Sequence, residues 1–208
     1  MNRKQASLSA LLVLLAGGSF AHAGDIDSGA RTDAHNLAVG VCGTCHGARG
    51  VSEQPKFPRL AGQNANYLAA QLKSFRAQTR GDPDAIGYMW GMAAQLDDAM
   101  IAALADYYAK QTPVARPGRD AALITRGKDI YENGIAAQGV PACSSCHGAD
   151  AHGIADFPRL AGQHAQYILK QLGSFQSNMR NIAVMHGVAQ NLKLAEMQAV
   201  AAYLQAQP

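Results

Sequence analysis

The 208-residue chain is poor in charge, poor in aromatic side chains and without a spare cysteine. Charged residues make up 16% of it and no block of one sign stands out, which argues against nucleic acid as a partner. The same evenness argues against steering by one large uniform field. Beyond the N-terminal region no stretch is apolar enough to span a bilayer. No segment alternates polar and apolar residues as a strand does, so the βαβ setting of a thioredoxin-like site is not expected. The four cysteines all lie in two short motifs, so none remains for a disulfide or a nucleophile.

Those motifs are Cys42-Gly43-Thr44-Cys45-His46 and Cys143-Ser144-Ser145-Cys146-His147. Both read C-x-x-C-H, the attachment signature of a c-type haem. Two thiols three positions apart can each add to one vinyl group of the porphyrin. The histidine that follows is then held under the iron as proximal ligand. A shared zinc site is the alternative, but the two pairs lie much further apart than in common zinc modules.

The N-terminus reads as a secretory signal. Arg3 and Lys4 supply its charge, Leu8 to Leu15 is an apolar run too short to span a membrane, and Ala21-His22-Ala23 offers a cleavage site. Cleavage after residue 23 starts the mature chain at Gly24 and, by removing Arg3 and Lys4, lowers the net charge from +3 to +1. No cysteine stands at the cleavage site to carry a lipid. The expected location is the periplasm, where c-type haem is attached after export.

The two halves repeat each other in order. Phe57-Pro58-Arg59-Leu60-Ala61-Gly62-Gln63 returns unchanged as Phe157 to Gln163. Tyr67-Leu68-Ala69-Ala70-Gln71-Leu72-Lys73-Ser74-Phe75 returns as Tyr167 to Phe175, and Ile86-Gly87-Tyr88-Met89-Trp90-Gly91 as Ile182 to Gly187. Each half holds one haem motif, so the repeat is a duplicated domain rather than a solenoid unit. Thr112 to Gly118, with two prolines and a glycine, reads as the linker between a first domain at 24–111 and a second at 119–208. So short a linker places the domains side by side.

The fold class expected is all-α. Residues 64–78 and 97–110 carry apolar residues at helical spacing, with Asn64 and Asp97 or Asp98 as caps. Met197, Val200 and Tyr203/Leu204 repeat the face of Ile101, Leu104 and Tyr107/Tyr108. Shorter helices are expected before each haem motif, at 33–39 and 125–132. Domains this small bury little apolar surface alone, so haem should form much of each core and the apoprotein should fold poorly.

The sixth position on each iron decides function. Met89 and Met185 are in register, whereas Met92, Met100, Met179 and Met197 have no counterpart sulfur. His46 with Met89 and His147 with Met185 are therefore the expected axial pairs. Met92 remains the alternative in the first half and His186 in the second. His35, His152 and His164 have no histidine counterpart and read as surface or outer residues. His/Met ligation leaves no open site for a small-molecule substrate and points to outer-sphere electron transfer rather than enzymatic catalysis. The Pro58 and Pro158 carbonyls are candidate acceptors for the proximal histidines. Arg59 and Arg159 are candidate partners of haem propionates. Tyr67, Gln71, Tyr167 and Gln171 could reach propionates or the domain interface.

With its two C-x-x-C-H motifs, two F-P-R-L-A-G-Q segments, paired Y-L-x-x-Q-L-type helices, and methionine segments followed by Leu96 and Leu192, the chain resembles the dihaem cytochrome c4 family. The resemblance covers nearly the whole mature chain. It implies two class I cytochrome c domains related by a pseudo-twofold axis, with two covalent haem c groups. It also implies periplasmic electron transfer, from a membrane donor such as a bc1-type complex to an acceptor such as a cytochrome oxidase, with peripheral membrane association left open. Dihaem subunits of flavocytochrome c sulfide dehydrogenases share the duplication and supply the alternative function. A dihaem peroxidase would need an open iron site.

Overall fold

The computed structural model describes residues 28–116, 118 and 120–208. The signal segment read in residues 1–23, with its cleavage site, lies outside the described residues. The described chain is helical, and its only strand-like pairing is the isolated bridge between Ile135 and Val140.

In the first half, α1 (Ser28–Leu37), a π-helical turn (Ala38–Cys42) and α2 (Gly43–His46) run on directly into the first haem motif. In the second half, α6 (Ala121–Asn133) stops at Gly134, whose φ of +69° ends the helix. A short loop closed by the 135–140 bridge then leads to α7 (Ser144–His147). The two motifs are thus reached by different local paths.

After each motif come α3 (Ala65–Arg76) and α8 (Ala165–Gln176). As expected, Asn64 caps α3 by accepting from the Tyr67 N–H at 3.1 Å. The helix is shorter than the 64–78 expected, because Gln78 adopts φ +56° and terminates it. The methionine segments are a π-helical turn (Ala85–Met89) running into α4 (Trp90–Ala93), and α9 (Ala183–Ala189). Each half closes with a long helix, α5 (Asp98–Ala109) or α10 (Leu194–Ala206). Asp97 caps α5 through the Met100 N–H at 2.7 Å.

The first and last helices of each half cross, α1 on α5 and α6 on α10. Small residues allow the approach. Ala34, Ala38, Ala103 and Ala105 are buried in the first half. In the second, a methyl group on Gly127 would collide with the Ala199 carbonyl. The apolar clusters are confined to single halves: Tyr131, Met197, Val200 and Leu204 lie in one, and Leu68, Leu104 and Tyr108 in another. A smaller cluster joins Phe75, Ala85 and Ala93.

The seam between the halves is polar and two-fold in character. Gln163 accepts from the Arg59 N–H at 2.9 Å and donates to the Arg59 carbonyl at 3.0 Å. Gln63 does the same to Arg159, with both distances 2.8 Å. The linker fills the edge of this seam. Pro113 packs over Gly62, and the Val114 carbonyl accepts from Arg59 at 3.2 Å.

Candidate functional site

The repeated F-P-R-L-A-G-Q segment shows its purpose residue by residue. Phe57 and Phe157 set their rings edge-on to His46 and His147, with centroids 6.1 and 6.0 Å apart. The Pro58 carbonyl lies 2.8 Å from His46 Nδ1, and the Pro158 carbonyl 3.1 Å from His147 Nδ1. A carbonyl can only accept, so Nδ1 carries the proton and Nε2 is left as the ligating nitrogen. Leu60 and Leu160 pack on the two cores. The Ala61 and Ala161 N–H groups return to the carbonyls of Gly50 and Ala151. Gly62 and Gly162 turn with positive φ and donate to Tyr108 and Leu204 of the closing helices. The final glutamine crosses to the other half, a role that the sequence did not reveal.

Both candidate proximal histidines are buried, at 8% and 6% exposure. Burial lowers the pKa of each, against the opposing pull of its proline carbonyl. The rings are thereby kept neutral, as a metal ligand must be. The first thiol of each motif also sits in apolar surroundings: burial raises Cys42 and pushes Cys143 up to about 11. Cys45 and Cys146 follow on the same short helices, α2 and α7.

Met89 and Met185 are half-buried and pack against the core of their own half. Met92 is 47% exposed and Met179 equally so. Met197 is buried in the second core, as its helix face suggested, and Met100 packs on the first. His186 turns toward α8, where its Nδ1 donates to the Phe175 carbonyl at 2.8 Å. Its counterpart Trp90 donates from Nε1 to the Arg80 carbonyl, also at 2.8 Å. Each residue after the methionine thus anchors its segment to the backbone.

One expectation changes, and Arg59 and Arg159 gain partners within the protein. His164 is not a surface residue: it is 3% exposed, with Nε2 donating to the Ser52 carbonyl of the other half at 2.9 Å. His35 and His152 are exposed, as expected. Arg59 is drawn into the seam, where its guanidinium donates to the Val114 and Gly162 carbonyls. Arg159 instead reaches the Pro208 carbonyl at 2.6 Å.

The central charged cluster of the seam is built on arginines the sequence did not single out, although they stand in register. Arg80 donates to Gln71 and Gln171 at 2.8 Å and to the Tyr167 hydroxyl at 3.3 Å. Arg180 mirrors this, reaching Gln171, Gln71 and the Tyr67 hydroxyl at 2.8, 2.8 and 2.7 Å. The repeated tyrosine and glutamine of α3 and α8 therefore serve the interface.

These residues fit two haems on two independent grounds. Buried donors without a protein acceptor occur at Arg59 Nη2, Arg159 Nε and Arg180 Nε, and they suit an anionic group such as a propionate. Large apolar side chains lie exposed along the ligand-bearing segments: Val39, Val41, Ile86 and Tyr88 in one half, Phe157, Ile182 and Val184 in the other. They suit contact with a flat apolar body such as a porphyrin.

Comparison with known proteins agrees. The cytochrome c family model matches residues 33–111 and again 124–208. A cytochrome c-552 of Acidithiobacillus ferridurans is 40% identical over 199 residues, covering 95% of this chain and 85% of the relative. A thiosulfate dehydrogenase electron acceptor of Thiomonas intermedia is 38% identical, over 80% and 78% of the two chains. The crystal structure of reduced cytochrome c4 from Pseudomonas stutzeri superposes with a TM-score of 0.76 at 35% identity, covering 89% of this chain and all of that one. With one C-x-x-C-H site in each of two cytochrome c domains, the protein carries two covalent haem c groups and transfers electrons; the chain belongs to the dihaem cytochrome c4 family.

Proposed function

We propose that this protein is a periplasmic shuttle, with His46 and Met89 as the axial ligands of one haem and His147 and Met185 as those of the other. Cys42, Cys45, Cys143 and Cys146 are the thioether anchors. The domains run 24–111 and 119–208, with 112–118 as linker. A bound haem supplies a one-electron couple at each site. The protein's own groups do the rest. The Pro58 and Pro158 carbonyls orient the histidines, Trp90 and His186 anchor the methionine segments, and the apolar side chains exclude water. With a histidine and a methionine holding the iron at each site, a bound haem would offer no free position to a substrate, and its chemistry would be outer-sphere electron exchange with protein partners. Donors of the bc1 type and acceptors of the cytochrome oxidase type suit such a carrier.

The observation that carries this reading is the matched pair in each half: a buried histidine with Nδ1 engaged, and a half-buried methionine in register. The test is carbon monoxide binding to the ferrous protein. Wild type should bind it slowly and below stoichiometry. Met89→Ala and Met185→Ala should each bind about one equivalent per chain. Rapid binding of two equivalents by wild type overturns the reading.

The relative described as a thiosulfate dehydrogenase electron acceptor supports a second reading, in which the donor is a sulfur-oxidising dehydrogenase. Purification from the native periplasm separates the cases. A free monomer supports the shuttle. Copurification with a dehydrogenase supports the second reading, and retained flavin would point to a flavocytochrome subunit.

A further inference from the structure

The two halves carry opposite charge on the same loop. Between the proximal histidine and its proline the first half has Arg49, Glu53 and Lys56, and the second has Asp150, His152 and Asp156. The loops are otherwise built alike, for the Gly50 and Ala151 carbonyls accept the same pair of N–H bonds. All six side chains are exposed. In the first loop Glu53 is paired with Arg116 of the linker, which leaves the loop the charges of Arg49 and Lys56. The second loop contains no Lys or Arg, and its Asp156 accepts from the neutral side chain of Asn66 at 2.9 Å.

Lys56 is also held in place. Its Nζ lies 2.6 Å from the Tyr88 hydroxyl and 4.5 Å from the centre of the Tyr88 ring. Tyr88 immediately precedes Met89, so the pair joins the two segments that carry the candidate ligands. Behind it the rings lead inward. Tyr88 stands edge-on to Phe57 at 5.9 Å, and Phe57 edge-on to His46 at 6.1 Å. In the second half Asp156 and Val184 take the places of Lys56 and Tyr88, no such pair can form, and Phe157 is left 39% exposed. An ammonium held against a ring and a hydroxyl has already lost side-chain freedom, so a partner that uses it loses less on binding. The acids of the methionine segment do not cancel it, since Asp82 is paired with Arg80 and Asp84 with Lys170. A membrane is a poor occupant, because attachment to anionic lipid takes a cluster of several basic residues. We propose that Lys56 and Tyr88 form the docking point for a redox protein with an acidic face, and that the acidic loop of the second half turns the same partner away. The inference rests on the carrier reading above and names the chemistry of one partner.

The probe is plastocyanin, a small copper protein with an acidic face, kept reduced so that no electron flows. It is titrated into isotope-labelled ferrous holoprotein and followed by NMR. At low ionic strength the amide shifts should gather at residues 54–57 and 86–89. Lys56→Gln should weaken binding about fivefold, and added salt should shrink that difference. Lys128→Gln, an equal change of charge on the exposed face of α6, should bind as wild type does. Shifts centred on the second half, or equal affinity in wild type and Lys56→Gln, overturn the proposal. So does Lys56-dependent binding to vesicles of phosphatidylserine and phosphatidylcholine that is tighter than binding to plastocyanin, which would make this face a membrane contact. The carbon monoxide test on wild type needs no partner, so it judges the ligand reading separately.

Discussion

Gly50 and Ala151 occupy the same turn in the two halves and differ by one methyl group. Both have positive φ, +72° and +59°, and the carbonyl of each accepts two N–H bonds from the F-P-R-L-A-G-Q segment. A Cβ at position 50 would come within 2.7 Å of the Ala61 backbone nitrogen and 2.8 Å of Tyr108 Cδ1, and only the second contact depends on the tyrosine. In the second half the position of Tyr108 is taken by Leu204, and the methyl of Ala151 is accommodated, fully buried. The residue at the turn and the residue on the closing helix are thus coupled. Gly50→Ala should cost roughly 2–4 kcal/mol, from left-handed strain plus overpacking. Tyr108→Leu should also destabilise, by losing the bond to the Ala38 carbonyl and leaving a cavity. Together the two changes should cost less than their sum by about 1 kcal/mol, measured by guanidinium unfolding of the holoprotein. Strict additivity would show that the tyrosine does not select the glycine.

The same comparison works between elements. Helices α3 and α8 both end on a left-handed residue, Gln78 and Asn178, with φ +56° and +57°. Asparagine tolerates that conformation better than glutamine. Gln78→Asn should therefore stabilise by roughly 0.5 kcal/mol, seen as a Tm rise of about 1–2 °C. At the α6–α10 crossing no such latitude exists. Gly127→Ala drives a methyl into the Ala199 carbonyl and should cost about 3 kcal/mol or more, with a large fall in the guanidinium midpoint. What was legible in the sequence divides along this line. The 3.6-residue spacing of α3, α5 and α10 and the caps Asn64 and Asp97 are local signals, and the structure has a helix at each place, α3 ending short of residue 78. The bonds of Pro58 and Pro158 to the histidines followed from a repeated segment and a known need of the ligand. The π-helical turns at Ala38–Cys42 and Ala85–Met89 were not legible, because a one-residue shift in backbone bonding leaves no mark in the apolar pattern. Nor were the roles of Gln63, Arg80 and His164. These depend on which surface of one half meets the other, and no periodicity encodes docking.

At the scale of the whole molecule, two half-cores that share no apolar cluster among the described residues are joined by hydrogen bonds and buried charge, so the seam should answer to acid. Burial alone would raise the pKa of Asp82, but the charge and hydrogen bond of Arg80 outweigh it and hold the carboxyl below its ordinary value. Its contribution is complete above the unfolded carboxylate pKa of about 3.9 and is lost as pH falls toward the lower folded value. His164 acts at milder pH. Burial lowers its pKa, the charges of Arg59 and Arg116 lower it further, and the Ser52 carbonyl opposes them. Below about pH 6.5 the unfolded chain takes up a proton that the folded chain resists, so stability falls as pH drops through that window. The first half offers the control: Asn64, at the equivalent position, caps its helix and donates to the Ala155 carbonyl of the other half without titrating. His164→Asn should flatten the stability of the holoprotein between about pH 6.5 and 5 and leave the steeper loss below pH 4 in place. Guanidinium midpoints across that range decide it. A variant that keeps the wild-type slope would place the acid-sensitive group elsewhere. A variant that loses both phases would mean that His164 and Asp82 act as one coupled seam rather than as two independent latches.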